Sequence, residues 1–213
     1  MKFKHVVFDW DGTLADTYPV ISAAYDYAFD KMSMPRVSLA EIKRVTSGLP
    51  NREVMGYLFG ERKAEAVAAY YDYIEKYHTE KLRLIDGALD LLRFCRDKNC
   101  DCRLFTNKRR RFVEAEMQCL KVADFFSRVV PAGECEMDKP HPTACKALFT
   151  EPLPAGEAVA VIGDGEADVK AAHCLRELGY EASCILYDPK HTYQGLPAEY
   201  TVSDLRDAEA ILE

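Results

Sequence analysis

Asp9 and Asp11 stand one residue apart in Val6-Val7-Phe8-Asp9-Trp10-Asp11-Gly12-Thr13, where an apolar run ends abruptly in acid. A second apolar run, Arg103-Leu104-Phe105, ends in Thr106-Asn107-Lys108, and a third, Val159 to Ile162, ends in Gly163-Asp164-Gly165-Glu166-Ala167-Asp168. Between them Lys139 precedes Pro140. Carboxylates, one hydroxyl and one lysine gathered in one place suit phosphoryl transfer. Carboxylate oxygens hold Mg²⁺, the metal and the lysine offset the phosphate charge, and the hydroxyl with free backbone amides takes the remaining oxygens.

The elements that must position these residues follow from the pattern. Val6 to Phe8 are β-favouring and apolar on both faces, which suits a central strand of a parallel sheet. From Asp86 onward helix and strand alternate: a helix capped by Asp86, a strand at Cys102–Thr106, a helix from about 112 to 120 and a strand at Arg128–Pro131. A helix opened by His141-Pro142, the run Val159–Gly163, a helix over Ala167–Leu178, strands at Ala182–Tyr187 and Tyr200–Val202, and a closing helix from Asp204 complete the series. This rhythm predicts an α/β fold, a Rossmann-like open parallel sheet with helices on both faces. In such sheets ligands bind beyond the carboxyl ends of the strands, so the three acidic or hydroxylic strand ends should meet.

Residues 17–84 read differently. Ile21, Ala24, Tyr25, Ala28, Phe29 and Met32 keep helical spacing, Ser38 with Glu41 is a capping-box signature, and a helix follows Gly60. Tyr70, Tyr71, Tyr73 and Tyr77 read as that helix's partly buried flank. The expected division is a core of 1–16 and 85–213 and an all-helical cap of 17–84, broken at Ser47-Gly48-Leu49-Pro50-Asn51.

The letters DxDGT match by chance at on the order of one position in 100,000, so the match in Asp9–Thr13 is specific. The stretch resembles the first motif of the haloacid dehalogenase superfamily, mostly Mg²⁺-dependent phosphatases. The other three motifs stand in order at Thr106, Lys139 and Asp164, with a helical insert after the first. The chain looks nearest the phosphoglycolate phosphatase and β-phosphoglucomutase branch. That resemblance implies Asp9 as the nucleophile forming an aspartyl phosphate and Asp11 as the acid and base. It implies Thr106, the amide of Asn107 and Lys139 as phosphate-binding groups, and Asp9, Asp164 and the backbone carbonyl of Asp11 as ligands of Mg²⁺, with Asp168 supporting the metal or holding Lys139. Glu166 is a rival ligand that suits a helix N-terminus better. Related enzymes place a specificity loop in the cap, which here points to Ser47, Gly48, Asn51 and Arg52.

Three features depart from the family pattern. Gly165 stands where relatives often carry Ser or Thr, Cys174–Gly179 lengthens the following helix, and Lys108-Arg109-Arg110-Arg111 puts a basic run after the second motif. Cations at a helix N-terminus are unfavourable, so the run reads either as a solvated turn or as a mouth attracting a multiply charged substrate.

Composition narrows the classes. With 28 basic and 35 acidic residues the net charge is −7, which argues against a nucleic-acid binder. No apolar run is long enough for a membrane span and Met1-Lys2 leads straight into a strand, so a soluble, cytoplasmic protein is expected. The eight cysteines form no CxxC pair, and reduced thiols fit better than a disulfide framework. Neither GxxxxGK[ST], GxGxxG nor GxSxG occurs. The reading is a Mg²⁺-dependent phosphomonoester hydrolase of a small phosphorylated metabolite, a monomer or a dimer. Asp11 speaks against a dehalogenase, which has no oxygen leaving group to protonate. The alternatives are a sugar phosphomutase, a pyrophosphatase, a phosphonate hydrolase using Lys43 as a Schiff base, or a catalytically silent binding module.

Overall fold

Val6, Val7 and Phe8 are fully buried, as a strand covered on both faces requires. The computed structural model describes residues 1–46, 51–193 and 195–213, and the side chains of all of these but Asn51 and Arg52. In it β1 (Phe3–Phe8) is followed by four helices, α1 (Tyr18–Lys31), α2 (Leu39–Val45), α3 (Asn51–Phe59) and α4 (Lys63–Tyr77). The chain then alternates: α5 (Ala88–Asp97), β2 (Asp101–Arg109), α6 (Arg110–Leu120), β3 (Arg128–Ala132), α7 (Pro142–Leu148), β4 (Ala158–Gly163), α8 (Glu166–Glu177), β5 (Glu181–Tyr187), β6 (Tyr200–Val202) and α9 (Ala208–Leu212).

The strands form one sheet in the order β3-β2-β1-β4-β5-β6, and every neighbouring pair is parallel. From β1 the chain winds outward through β2 and β3, then returns to β4 and winds the other way. The reversal makes the carboxyl ends of β1 and β4 a topological switch point, where loops diverge and leave a crevice. Register places Phe8 beside both Leu104 of β2 and Ile162 of β4, so the residues that follow these strands start level with one another.

The chain divides into two compact units, Met1–Asp16 with Arg83–Glu213, and Thr17–Leu82. Re-entry to the first unit falls at Arg83 rather than 85. There the Asp16 N–H donates to Arg83 O at 3.0 Å, Ala15 pairs antiparallel with Leu84, and the Arg83 guanidinium holds the Asp16 carboxylate at 2.7 Å. Within the helical unit α1 and α4 pack through rings, Tyr25 on Tyr70 with centroids 5.0 Å apart and Tyr27 on Tyr73 at 5.5 Å. Phe29, Met32, Ile42, Val54, Met55 and Phe59 close the rest of its core. Ser38 Oγ accepts the Glu41 N–H at 3.2 Å, but the Glu41 side chain turns to Arg44 instead of completing the box.

Three local readings are corrected. Asp86 does not cap α5: Gly87, at φ 81°, takes the N-cap position, and the Asp86 carboxylate pairs with Arg206 at 2.7 Å. β2 begins at Asp101, one residue before the expected Cys102. β2 runs on to Arg109, which lies opposite Ala132 of β3, and the helix starts at Arg110. The basic run therefore straddles a strand end and a helix start. Among the described residues no helix is long and apolar enough to cross a membrane.

Candidate active site

The loop after β1 is wound tightly. Asp9 N–H still donates to Ile162 O of β4 at 2.9 Å, and then Trp10 O accepts the amides of Thr13, Leu14 and Ala15 at 3.3, 3.1 and 3.0 Å. Gly12 has φ 83°, a left-handed conformation that a side chain would strain. Trp10 is fully buried between the two aspartates. Anchoring the intervening side chain sends the flanking carboxylates to separate partners.

Asp9 meets Lys139. The Lys139 ammonium is 2.9 Å from Asp9 Oδ1 and donates to Phe105 O at 2.8 Å, and its third neighbour is Asp168 Oδ1 at 2.5 Å. Both Lys139 and Asp168 are buried. Asp168 lies in the first turn of α8 and accepts the Gly165 N–H at 3.0 Å, a cap favoured by the helix dipole. Gly163 is obligatory here, because a Cβ on it would come within 1.9 Å of Asp168 Cγ. Gly165 carries no such demand, its nearest neighbours lying at ordinary contact distance.

Burial, with the charges of Asp168 and Asp11, outweighs Lys139 and pushes the Asp9 carboxyl up to about 7. Burial opposes charge on Lys139 too, but Asp168 and Asp9 overcome it and hold the ammonium above its ordinary range. Asp168 is likewise raised, first by burial, against the pull of Lys139.

Asp11 meets a different lysine. Lys108 Nζ lies 2.6 Å from Asp11 Oδ1 and 2.8 and 2.9 Å from the two oxygens of Glu116, a fully buried residue of α6. Glu116 in turn accepts the Trp10 indole N–H at 2.6 Å. Neither reading of the basic run survives at Lys108: it faces inward because the extended strand end alternates its side chains. Arg110 is paired with Glu114 and Glu134, while Arg109 and Arg111 are exposed. Sequence reasoning does not single out Glu116 or Trp10 as site residues. One signal is legible, since Phe112, Val113, Glu116 and Met117 share the buried helix face and a glutamate there must have a buried partner.

Thr106, at the same strand end, is buried and its Oγ1 accepts the Lys108 N–H at 3.1 Å. Asn107 uses its side-chain amide on Lys139 O at 3.1 Å, tying β2 to the segment that carries Lys139. Asp164 follows β4 directly, and carboxylate oxygens of Asp9, Asp164 and Asp168 lie within 4.8 Å of one another. Such a trio of hard oxygens fits Mg²⁺, whose ligands are carboxylates and carbonyls. Asp11 joins that group by no side-chain oxygen; its carboxylate is held by Lys108.

The family model for haloacid dehalogenase-like hydrolases matches residues 6–176. The chain belongs to that family. It is 29% identical over 176 residues to a phosphoglycolate phosphatase of Pseudomonas putida, a match spanning 78% of this chain and 64% of the relative, just under two thirds of its length. It is 27% identical to the N-acetylmuramic acid 6-phosphate phosphatase of the same organism, over 90% of this chain and 86% of that one. A haloacid dehalogenase-like hydrolase of Bacillus subtilis, solved bound to magnesium, superposes with a TM-score of 0.73 at 18% identity, covering 100% of this chain and 99% of that one. The family is one of hydrolases, both relatives are named phosphatases, and the sheet is the family's Rossmann-like α/β fold.

Other members of the expected set are placed elsewhere. Glu166 opens α8 and its carboxylate is 2.8 Å from Lys170 one turn on. Lys43 lies over the Tyr18 ring, 3.7 Å from its centroid. Ser47 and Gly48 fall outside the described residues, as do the side chains of Asn51 and Arg52.

Proposed function

We propose that this haloacid dehalogenase-like phosphatase hydrolyses a small phosphorylated metabolite with Mg²⁺ through an aspartyl phosphate. The observation that carries the reading is the buried contact of Lys139 with Asp9 at the switch point, 2.9 Å long. A carboxylate there approaches a phosphate dianion only if its own charge is met, and Lys139 meets it.

Asp9 attacks phosphorus as the bond to the leaving oxygen breaks, and the Asp11 carboxyl gives that oxygen a proton, so an alcohol departs. Water then attacks the phosphorus of the acyl phosphate and gives a proton to Asp11, which releases inorganic phosphate and restores Asp9. Thr106 Oγ1 already accepts the Lys108 amide, which leaves its hydroxyl hydrogen for a phosphate oxygen, beside the Asn107 N–H. Asp168 acts by holding Lys139. Asp9, Asp164 and the Asp11 carbonyl would hold Mg²⁺, which when bound would supply charge neutralisation at the phosphate.

Turnover of p-nitrophenyl phosphate with Mg²⁺ and with EDTA tests the reading, together with acid-quenched labelling. Asp9→Asn is expected to lower turnover by roughly a thousandfold or more and to abolish the covalent label. Equal labelling of both proteins would overturn the nucleophile.

Discrimination among leaving groups falls, on this reading, to the helical unit through Ser47, Gly48, Asn51 and Arg52. Arg52→Ala should leave p-nitrophenyl phosphate turnover within a few-fold and lower kcat/KM about tenfold for the best substrate of a phosphorylated-metabolite panel, as loss of a charge-assisted bond does. A parallel fall on both would remove Arg52 from substrate choice.

A further inference from the structure

The three-residue cluster behind Asp11 has more than stability to account for. Lys108 already has both oxygens of Glu116 at 2.8 and 2.9 Å, which by itself would satisfy a buried ion pair. Its closest contact nevertheless goes to Asp11, at 2.6 Å, outside that pair. Buried ion pairs can often be exchanged for apolar groups of like volume without loss of stability, so stability alone does not explain a buried glutamate and a largely buried lysine here. What such a cluster does provide is a charge fixed in place. The fixing continues to the protein interior, since Glu116 is itself anchored by the indole of Trp10, the residue between Asp9 and Asp11. The same lysine's backbone N–H orients the Thr106 hydroxyl.

We propose that Lys108, Glu116 and Trp10 form a buried positioning relay that holds the Asp11 carboxyl in line with the leaving-group oxygen. The inference rests on the reading of Asp11 as proton donor given above. An aspartate at a turn can swing about its side-chain torsions, and a general acid that is misdirected loses most of its effect while the nucleophile beside it is untouched. Lys108 touches no reacting atom; it acts through Asp11. Glu116 acts through Lys108, and Trp10 through Glu116.

The test uses two aryl phosphates that differ in their need for a proton, p-nitrophenyl phosphate and phenyl phosphate, and reads kcat/KM. In Lys108→Met the ratio of the two values should move about tenfold against phenyl phosphate, with KM changed less than kcat, as expected when only acid catalysis suffers. The same substitution in an Asp11→Asn background should then move the ratio no further, because the two act as one unit. Equal falls on both substrates, or a Lys108→Met effect that adds in full to Asp11→Asn, would overturn the relay. If Asp11→Asn itself leaves the ratio at the wild-type value, the reading of Asp11 falls and the relay with it. A drop with Asp11→Asn and none with Lys108→Met removes the relay alone.

Lys108→Met leaves Glu116 charged, so should that variant not fold, Lys108→Met with Glu116→Gln removes both charges and is read the same way. A readout independent of turnover comes from Trp10, the chain's one tryptophan. Glu116→Gln should shift its emission in the folded protein, and an unchanged spectrum would break the link between Trp10 and Glu116.

Discussion

The two ends of the same sheet both collect charged residues, and they do so in opposite ways. Toward the amino ends His5 lies between Asp101 at 3.1 Å and Glu157 at 2.8 Å, Arg103 holds Asp101 at 2.6 Å and stacks over Phe149, and Lys4 reaches Glu157 at 3.0 Å. Basic groups there match the acids, and most are partly solvated. At the carboxyl ends Asp9, Asp11, Asp164, Asp168 and Glu116 face two lysines, Lys108 and Lys139, and the lysines, Glu116 and Asp168 are sequestered from water. Carboxylates outnumbering cations in a site of low dielectric are costly alone. On the proposed function, a bound divalent cation offsets that excess. One end closes a sheet; the other gathers the residues that function would use.

The sharpest way to break this contrast is to remove a buried partner. Glu116→Ala leaves the Lys108 ammonium with Asp11 as its carboxylate partner and takes the acceptor from the Trp10 indole, and should cost about 2–4 kcal/mol in urea unfolding. A loss below about 1 kcal/mol, the size expected of solvated pairs, would mean the carboxyl end is no different from the amino end.

Next comes the response to cation and pH. With its carboxyl raised to about 7, Asp9 keeps a proton in the metal-free native state that the unfolded chain releases near its ordinary value of 3.8. Its contribution to stability is therefore full below that value and is lost as pH rises through about 7. Mg²⁺ competes with this proton, so the rise in Tm on adding Mg²⁺ should be larger at about pH 8 than at about pH 5.5. A rise independent of pH, or none, would separate Asp9 from the cation.

The smallest effect belongs to the amino end. Asp101→Asn weakens the bonds from Arg103, His5 and Ser127, and should cost about 1–2 kcal/mol while leaving kcat at the wild-type value. A loss of turnover in the folded variant would show that the two ends are not independent.

Much of the molecule is legible in its sequence because the signals are local. The apolar run of β1, the alternation from Asp86 onward and the capping signature at Ser38 each rest on neighbours along the chain, and each corresponds to an observed element. Local signals mislead where a neighbour in space decides. Asp86 has the chemistry of a cap but is claimed by Arg206, 120 residues away. Lys108 looks like part of a charged turn, and becomes a buried group only because β2 extends to pair with β3.

The sequence alone determined which side chains could do the chemistry, since DxDGT, Thr106 and Asp164 each close or follow an apolar run and a parallel sheet aligns such ends, while Lys139 stands out only by its place before Pro140 in the order of the motifs. It also determined, through Gly12, where the chain could turn so tightly. Only the tertiary structure decided how those groups are shared out, Asp9 to Lys139 and Asp11 to Lys108, and that Asp168 occupies the space a side chain at Gly163 would need. The reason is physical: periodicity records which residues leave water, but a buried charge is settled by the partner it finds there, and that partner lies on another element.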